Sequence, residues 1–175
     1  MTASNRTNGS KPGKSFPPGV HVPSLTWFHD TRDQEIDWDV QRKHLSFLIE
    51  SGLQGSIFTT LVHFHCSKTD RIHPVVIAGT NGEAVTLSSS EKAQLVKTTR
   101  ELAIELGRPD LTVILGCGGG STQQVIAETR LAKESGADFA LVLVPSYFHF
   151  AMNEDAIITF FEEVHIPLCS SESEF

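Results

Sequence analysis

The chain has 175 residues, enough for one domain with a real core. Hydrophobic residues make up 39% and charged residues 20%, and the formal net charge is -7. That balance argues against nucleic acid or an anionic membrane as a partner, since both require a basic face, and no apolar run is long enough to span a bilayer.

The first segment, Met1 to Pro18, is polar, Gly/Pro-rich and free of acid, and it lacks the apolar core of a secretion signal. With one arginine and no amphipathic period it points away from a transit peptide, and it reads as a disordered arm. The cysteines Cys66, Cys117 and Cys169 are odd in number and widely spaced. They suit a reducing compartment, so the cytoplasm is the expected location.

Gly19 to Phe28 is apolar and partly β-branched, which predicts a strand. Asp39 to Ser51 carries Val40, Leu45, Phe47, Leu48 and Ile49 and is followed by Gly52, which predicts a helix with a glycine stop. Val75 to Gly79 reads as a short buried strand. Ser88 and Glu91 have the spacing of a capping box, opening a helix through Leu95, Val96, Leu102 and Leu106 to Gly107. Leu111 to Gly116 is a further buried strand, and Ser121 with Gln124 predicts a second capping box and a helix to Gly136. Asp138 to Ser146 is a fourth strand, and Asn153 caps a fourth helix to Val164. Every strand is apolar on both faces, which predicts cover on both sides, as in parallel α/β sheets and barrels. Function in such folds sits on the loops after the strands' C-terminal ends.

Three constellations occupy or interrupt those loops. Gly116 to Gln124, "GCGGGSTQQ", follows a strand and precedes a helix, where a phosphate could meet free N–H groups. Gly120 stands where a P-loop needs lysine, and Ser121 stands where a dinucleotide fingerprint needs its third glycine. The plainer reading is a turn that passes close beneath a ligand or a neighbouring loop. His63, His65, Cys66 and His73 resemble a metal cluster, but their spacing matches no common zinc pattern, and no metal is called for. The third is "GTNGE", Gly79 to Glu83. Thr80 offers a hydroxyl that gives and takes protons, and the amides of Thr80 and Asn81 fall at a strand end, where a carboxylate would be held. An ordinary βα turn with local caps accounts for the same residues equally well.

Gly19, Pro23, "GTNGEAVTLS", "GCGGGST" and "GADFALVLVPSYF" lie in order. Together they resemble the dihydrodipicolinate synthase / N-acetylneuraminate lyase family of Schiff-base aldolases. The resemblance covers most of Gly19 to Val164. It implies the N-terminal half, about four βα units, of an α/β (β/α)8 TIM barrel, whose full length is about 250 residues. It implies a lyase acting on a small 2-oxo acid, pyruvate and an aldehyde or their adduct, as a homo-oligomer. The imine nucleophile of such enzymes is a lysine of the protein, so no cofactor is implied. Thr80 matches the relay hydroxyl, Thr80 and Asn81 match the loop that binds the pyruvate carboxylate, and Tyr147 matches a tyrosine that extends the relay, often across a subunit contact. Asn81 leans the substrate toward that of 4-hydroxy-2-oxoglutarate and 2-keto-3-deoxy sugar acid aldolases, since other members usually carry threonine there.

The departures are as specific. The family's catalytic tyrosine lies on the fifth strand and its imine lysine on the sixth, and this sequence reaches neither. None of its seven lysines falls at a predicted strand end, so the chain as written is expected to be an inactive, truncated member. Residues 56–74 interrupt the family pattern as an insertion, and residues 165–175 depart from it as a tail; both read as translated introns. An open half-barrel exposes two strand edges, so poor stability or association is expected. Two other readings stand beside the first: a non-catalytic half-barrel that binds a full-length paralogue, and a doubly wound nucleotide-binding domain using Gly116 to Ser121.

Overall fold

The computed structural model describes Phe16 and residues 21–51, 74–147 and 149–169, with side chains to residue 165. The arm apart from Phe16, the insertion up to residue 73, the His63, His65, Cys66 and His73 cluster, Gly52 and residues 170–175 lie outside the described residues.

Strands and helices alternate: β1 (Val22–Pro23), α1 (Trp38–Ser51), β2 (Val75–Ile77), α2 (Ser89–Glu105), β3 (Val113–Cys117), α3 (Thr122–Ser135), β4 (Phe139–Val142) and α4 (Glu154–Cys169). The sheet order is β1-β2-β3-β4 and every pairing is parallel. Right-handed crossovers between sequential parallel neighbours put every helix on the same face. Each helix accordingly packs on the next, α1 on α2, α2 on α3 and α3 on α4. This is the winding of a partial (β/α)8 barrel. Among the described residues the strand order never reverses, which counts against the doubly wound alternative.

The helix-facing core follows from the alternation of side chains along each strand. Val75 and Ile77 of β2 and Val113, Leu115 and Cys117 of β3 meet Leu45 and Ile49 of α1 and Leu95, Val96, Leu102 and Ala103 of α2. A smaller cluster joins Val125 and Ile126 of α3 to Phe160 and Val164 of α4, with Val142 and Val144 against it. Arg100 of α2 binds Asp138 and donates from Nε to the Gly136 carbonyl at 2.9 Å, which ties the two clusters at the foot of the sheet.

Several sequence expectations are corrected. The strands are shorter than their apolar runs: β2 ends at Ile77 because Ala78 turns to a φ of 51°, and β1 covers two residues because the chain beyond it is held by side chains of α1. Phe47 lies off the buried stripe of α1 and is 65% exposed. β4 is not covered on both faces: Leu141 is 44% exposed, because it sits on an edge strand and faces away from the helices. The box at Ser88 and Glu91 forms in both directions. The one at Ser121 forms in one direction only. Ser121 accepts from the Gln124 N–H, but the Gln124 side chain accepts from the Gly120 N–H at 2.9 Å. Gly119 permits this, since a Cβ there would lie 2.7 Å from Gln124 Cδ.

Candidate active site

β2 delivers its chain into a single 3-10 turn, Thr80–Gly82. The turn closes with the Gly82 N–H donating to the Gly79 carbonyl (3.0 Å) and the Glu83 N–H to the Thr80 carbonyl (3.1 Å). The first N–H groups of such a turn have no carbonyl behind them. Among the described residues the amides of Thr80 and Asn81, and both side chains, take no hydrogen-bond partner, and both residues are exposed. The structure thus places both amides and the Thr80 hydroxyl exposed at the end of β2.

Two neighbouring strands fix where the turn sits. Gly116 of β3 lies under it: a Cβ at Gly116 would be 2.0 Å from the Ala78 carbonyl oxygen. Ala78 itself is buried at positive φ, a conformation that costs a non-glycine residue roughly 1–2 kcal/mol. The glycine-rich loop thus does what its plainer reading held, passing close beneath its neighbour. On the other side the Thr26 hydroxyl donates to the Gly82 carbonyl at 2.7 Å.

Thr26 lies in the segment after β1, and α1 holds that segment. Gln41 accepts from the Trp27 N–H (2.9 Å) and donates to the Leu25 carbonyl (3.1 Å). His44 Nε2 accepts from the Leu25 N–H at 3.3 Å, and burial lowers the His44 pKa from its ordinary 6.5. The sequence reading missed Thr26, Gln41 and His44. One signal was present: Gln41 is a polar residue on the 41, 45, 49 stripe that α1 buries.

Tyr147 follows β4 on the same end of the sheet and is 78% exposed. β3 stands between β2 and β4, so at about 4.8 Å per strand their ends are roughly 10 Å apart. The structure brings Thr80 and Asn81 together and places Tyr147 across the width of β3 from them.

Among the described residues no lysine lies on a strand or in a loop that follows one. Lys43, Lys92, Lys97 and Lys133 are on helices. Lys92 is buried and pairs with Glu128 at 2.9 Å, and Glu128 also accepts from the Ser89 hydroxyl at 2.8 Å. The Cys117 thiol is pushed up to about 12 by burial and then by the Glu128 carboxylate, with Lys92 opposing, so it stays protonated and inert. A groove of about 420 Å³ opens between Gly120, Ser121 and Thr122 of the α3 entry and Ala156, Phe160 and Glu163 of α4. It shares no residue with the Thr80–Gly82 turn, and Glu163 at its wall opposes an anion. No described helix is long and apolar enough to cross a membrane.

A sequentially wound parallel sheet with each helix packed on the next is the winding of part of a (β/α)8 barrel. The chain belongs to the dihydrodipicolinate synthetase family, whose model matches residues 44–167. It is 31% identical over 147 residues to an Emericella nidulans protein named "Probable 4-hydroxy-2-oxoglutarate aldolase, mitochondrial", covering 84% of this chain and 41% of that one. It is 31% identical over 148 residues to the L-threo-3-deoxy-hexylosonate aldolase of Aspergillus niger, covering 84% of this chain and 38% of the relative. A solved family protein from Coccidioides immitis superposes with a TM-score of 0.63 at 33% identity, over 84% of this chain and 39% of the other. The chain thus spans about two fifths of the length of the curated relatives it matches.

Proposed function

We propose that this chain carries the carboxylate-holding and proton-relaying part of a Schiff-base pyruvate aldolase. The observation that carries the reading is the turn at Thr80 and Asn81, which offers two unbonded N–H groups and one free hydroxyl at the end of β2. Two N–H donors side by side suit one carboxylate, and hydrogen bonds to an ionised acceptor are the stronger kind. The Thr80 hydroxyl is then placed to pass a proton to and from the carbon beside the imine, and Tyr147 of this or a neighbouring subunit extends the relay. Asn81, in place of the threonine usual in other members, supports an open-chain hydroxylated 2-oxo acid as the substrate. The names of the Emericella and Aspergillus relatives agree with that class.

The imine requires an amine at the mouth of the sheet. Every described lysine is on a helix instead, so on this reading the imine-forming amine is not among the described residues. Pyruvate titrated into 15N-labelled chain is expected to shift the Thr80 and Asn81 amides together, and Thr80→Val is expected to blunt the response. Shifts confined to other residues would sink the carboxylate assignment. Borohydride added with pyruvate is expected to leave the mass at 19.2 kDa. A reduced pyruvate on one of the chain's lysines would overturn the statement on the imine.

A further inference from the structure

One buried side chain grips the chain on both sides of Thr26. Gln41 is 1% exposed on the inward stripe of α1. Its Oε1 accepts from the Trp27 N–H at 2.9 Å, and its Nε2 donates to the Leu25 carbonyl at 3.1 Å. The residue between those two is Thr26, whose hydroxyl donates to the Gly82 carbonyl, 56 residues further along, at 2.7 Å. Gly82 ends the turn that begins with Thr80 and Asn81.

We infer that Gln41 is a positioning residue for the Thr80–Gly82 turn, acting through Thr26 on the Gly82 carbonyl. The inference rests on the reading of that turn as the carboxylate holder. Packing alone does not explain an amide here. A buried carboxamide without partners costs free energy that leucine would not, so both of its bonds matter. Both go to backbone on either side of one residue, which fixes the dihedrals of Thr26 and aims its hydroxyl. The turn needs an external tie. Its own bonds are those of one 3-10 turn, a weak and short-lived unit in isolation. Its approach to the β1 segment is also close: a Cβ at Gly82 would lie 2.9 Å from the Ser24 carbonyl oxygen. A small shift of the Thr26 segment therefore transfers directly to the amides of Thr80 and Asn81, and donors held within about 0.5 Å are what binding requires.

The test uses the full 175-residue chain, labelled with 13C and 15N, and pyruvate as the probe. Thr26→Val defines how the Gly82 carbonyl resonance moves when the hydroxyl bond is lost. Gln41→Leu is expected to move that resonance in the same direction and to weaken pyruvate binding at the Thr80 and Asn81 amides about fivefold. The double variant is expected to be no worse than Thr26→Val alone, since both act along one path. Gln41→Glu keeps the acceptor for the Trp27 N–H and loses the donor to Leu25, so an intermediate Gly82 shift is expected. It also carries the test if Gln41→Leu does not fold. A Gly82 resonance that stays in place in both Gln41 variants, or losses of binding that simply add, would overturn the inference. If pyruvate moves no amide of the unmodified chain, the carboxylate reading of the turn fails instead, and the Gly82 comparison still decides whether Gln41 governs the turn.

Discussion

The two halves of this sheet bury very different amounts of what they offer. β2 and β3 are buried along their whole length, between α1 and α2 on one face and neighbouring strands on both edges. β4 has the same kind of sequence, yet its four residues are half-buried or exposed. The difference lies in position and not in composition: β4 has a neighbour on one edge only, and Leu141 and Leu143 face away from the helix layer. The functional candidates follow the same division. Thr80 and Asn81 stand on the packed half, tied by Thr26 and floored by Gly116, while Tyr147 stands on the open half.

Of the two ion pairs that join the halves, the buried one is the more sensitive point. Lys92 of α2 and Glu128 of α3 are each 6% exposed and 2.9 Å apart. Removing one partner strands a buried charge, so Lys92→Ala is expected to cost about 3–5 kcal/mol in urea unfolding. Replacing both with leucine or methionine is expected to restore most of that loss, because a buried pair repays little beyond its own desolvation. A single-variant cost below 1 kcal/mol would show that the halves are not joined there.

The contrast between the strands themselves is tested by one chemistry at two places. Leu115→Ala empties a fully buried site in β3 and is expected to cost about 3 kcal/mol. Leu141→Ala in β4 starts from a side chain 44% exposed and is expected to cost about 1 kcal/mol or less. Equal costs would mean that the concave face of β4 is covered in solution, which is the association expected of an open half-barrel. Sedimentation of the same samples separates the two cases.

Local signals were legible in the sequence and distant ones were not. The helices of α2 and α3 and their serine caps are written within a few residues, and so is the turn at Thr80. The exposure of β4 is absent from its own sequence, because "FALVLV" reads the same whether or not something lies over it. The reach of Gln124 past Ser121 to Gly120 depends on the room left by Gly119, which the capping pattern does not encode. Gln41 and Thr26 act on the site across gaps of 14 and 56 residues, through contacts that only the folded chain creates. The clearest mark they leave is one polar residue where the helix period calls for an apolar one.

The caps give a smaller version of the same comparison. Ser88 bonds the Glu91 N–H while Glu91 Oε2 accepts from the Ser88 N–H at 2.8 Å, so two donors are satisfied at the start of α2. Ser121 holds only the Gln124 N–H at the start of α3. Ser88→Ala is expected to cost about 1 kcal/mol and Ser121→Ala about half that, read from urea midpoints. The reverse order would mean that the open half depends more on its cap than the packed half does.

The smallest expected effect is a dependence on pH in the packed half. His44 of α1 accepts the Leu25 N–H at Nε2, and burial lowers its pKa below the ordinary 6.5. Below 6.5 the unfolded chain therefore takes up this proton before the folded chain does. Stability contributed by the neutral imidazole is fully present above 6.5 and is lost as the pH falls from 6.5 through the folded value. Protonation also removes the acceptor for the Leu25 N–H and so loosens the segment that carries Thr26. Urea midpoints compared at pH 7.5 and pH 5.5 are expected to fall further in the unmodified chain than in His44→Gln, since the glutamine does not titrate. The amides of Leu25 and Thr26 are expected to shift over the same interval. Parallel pH profiles in the two chains would mean that the bond to Leu25 contributes nothing, and that Gln41 holds the segment without help.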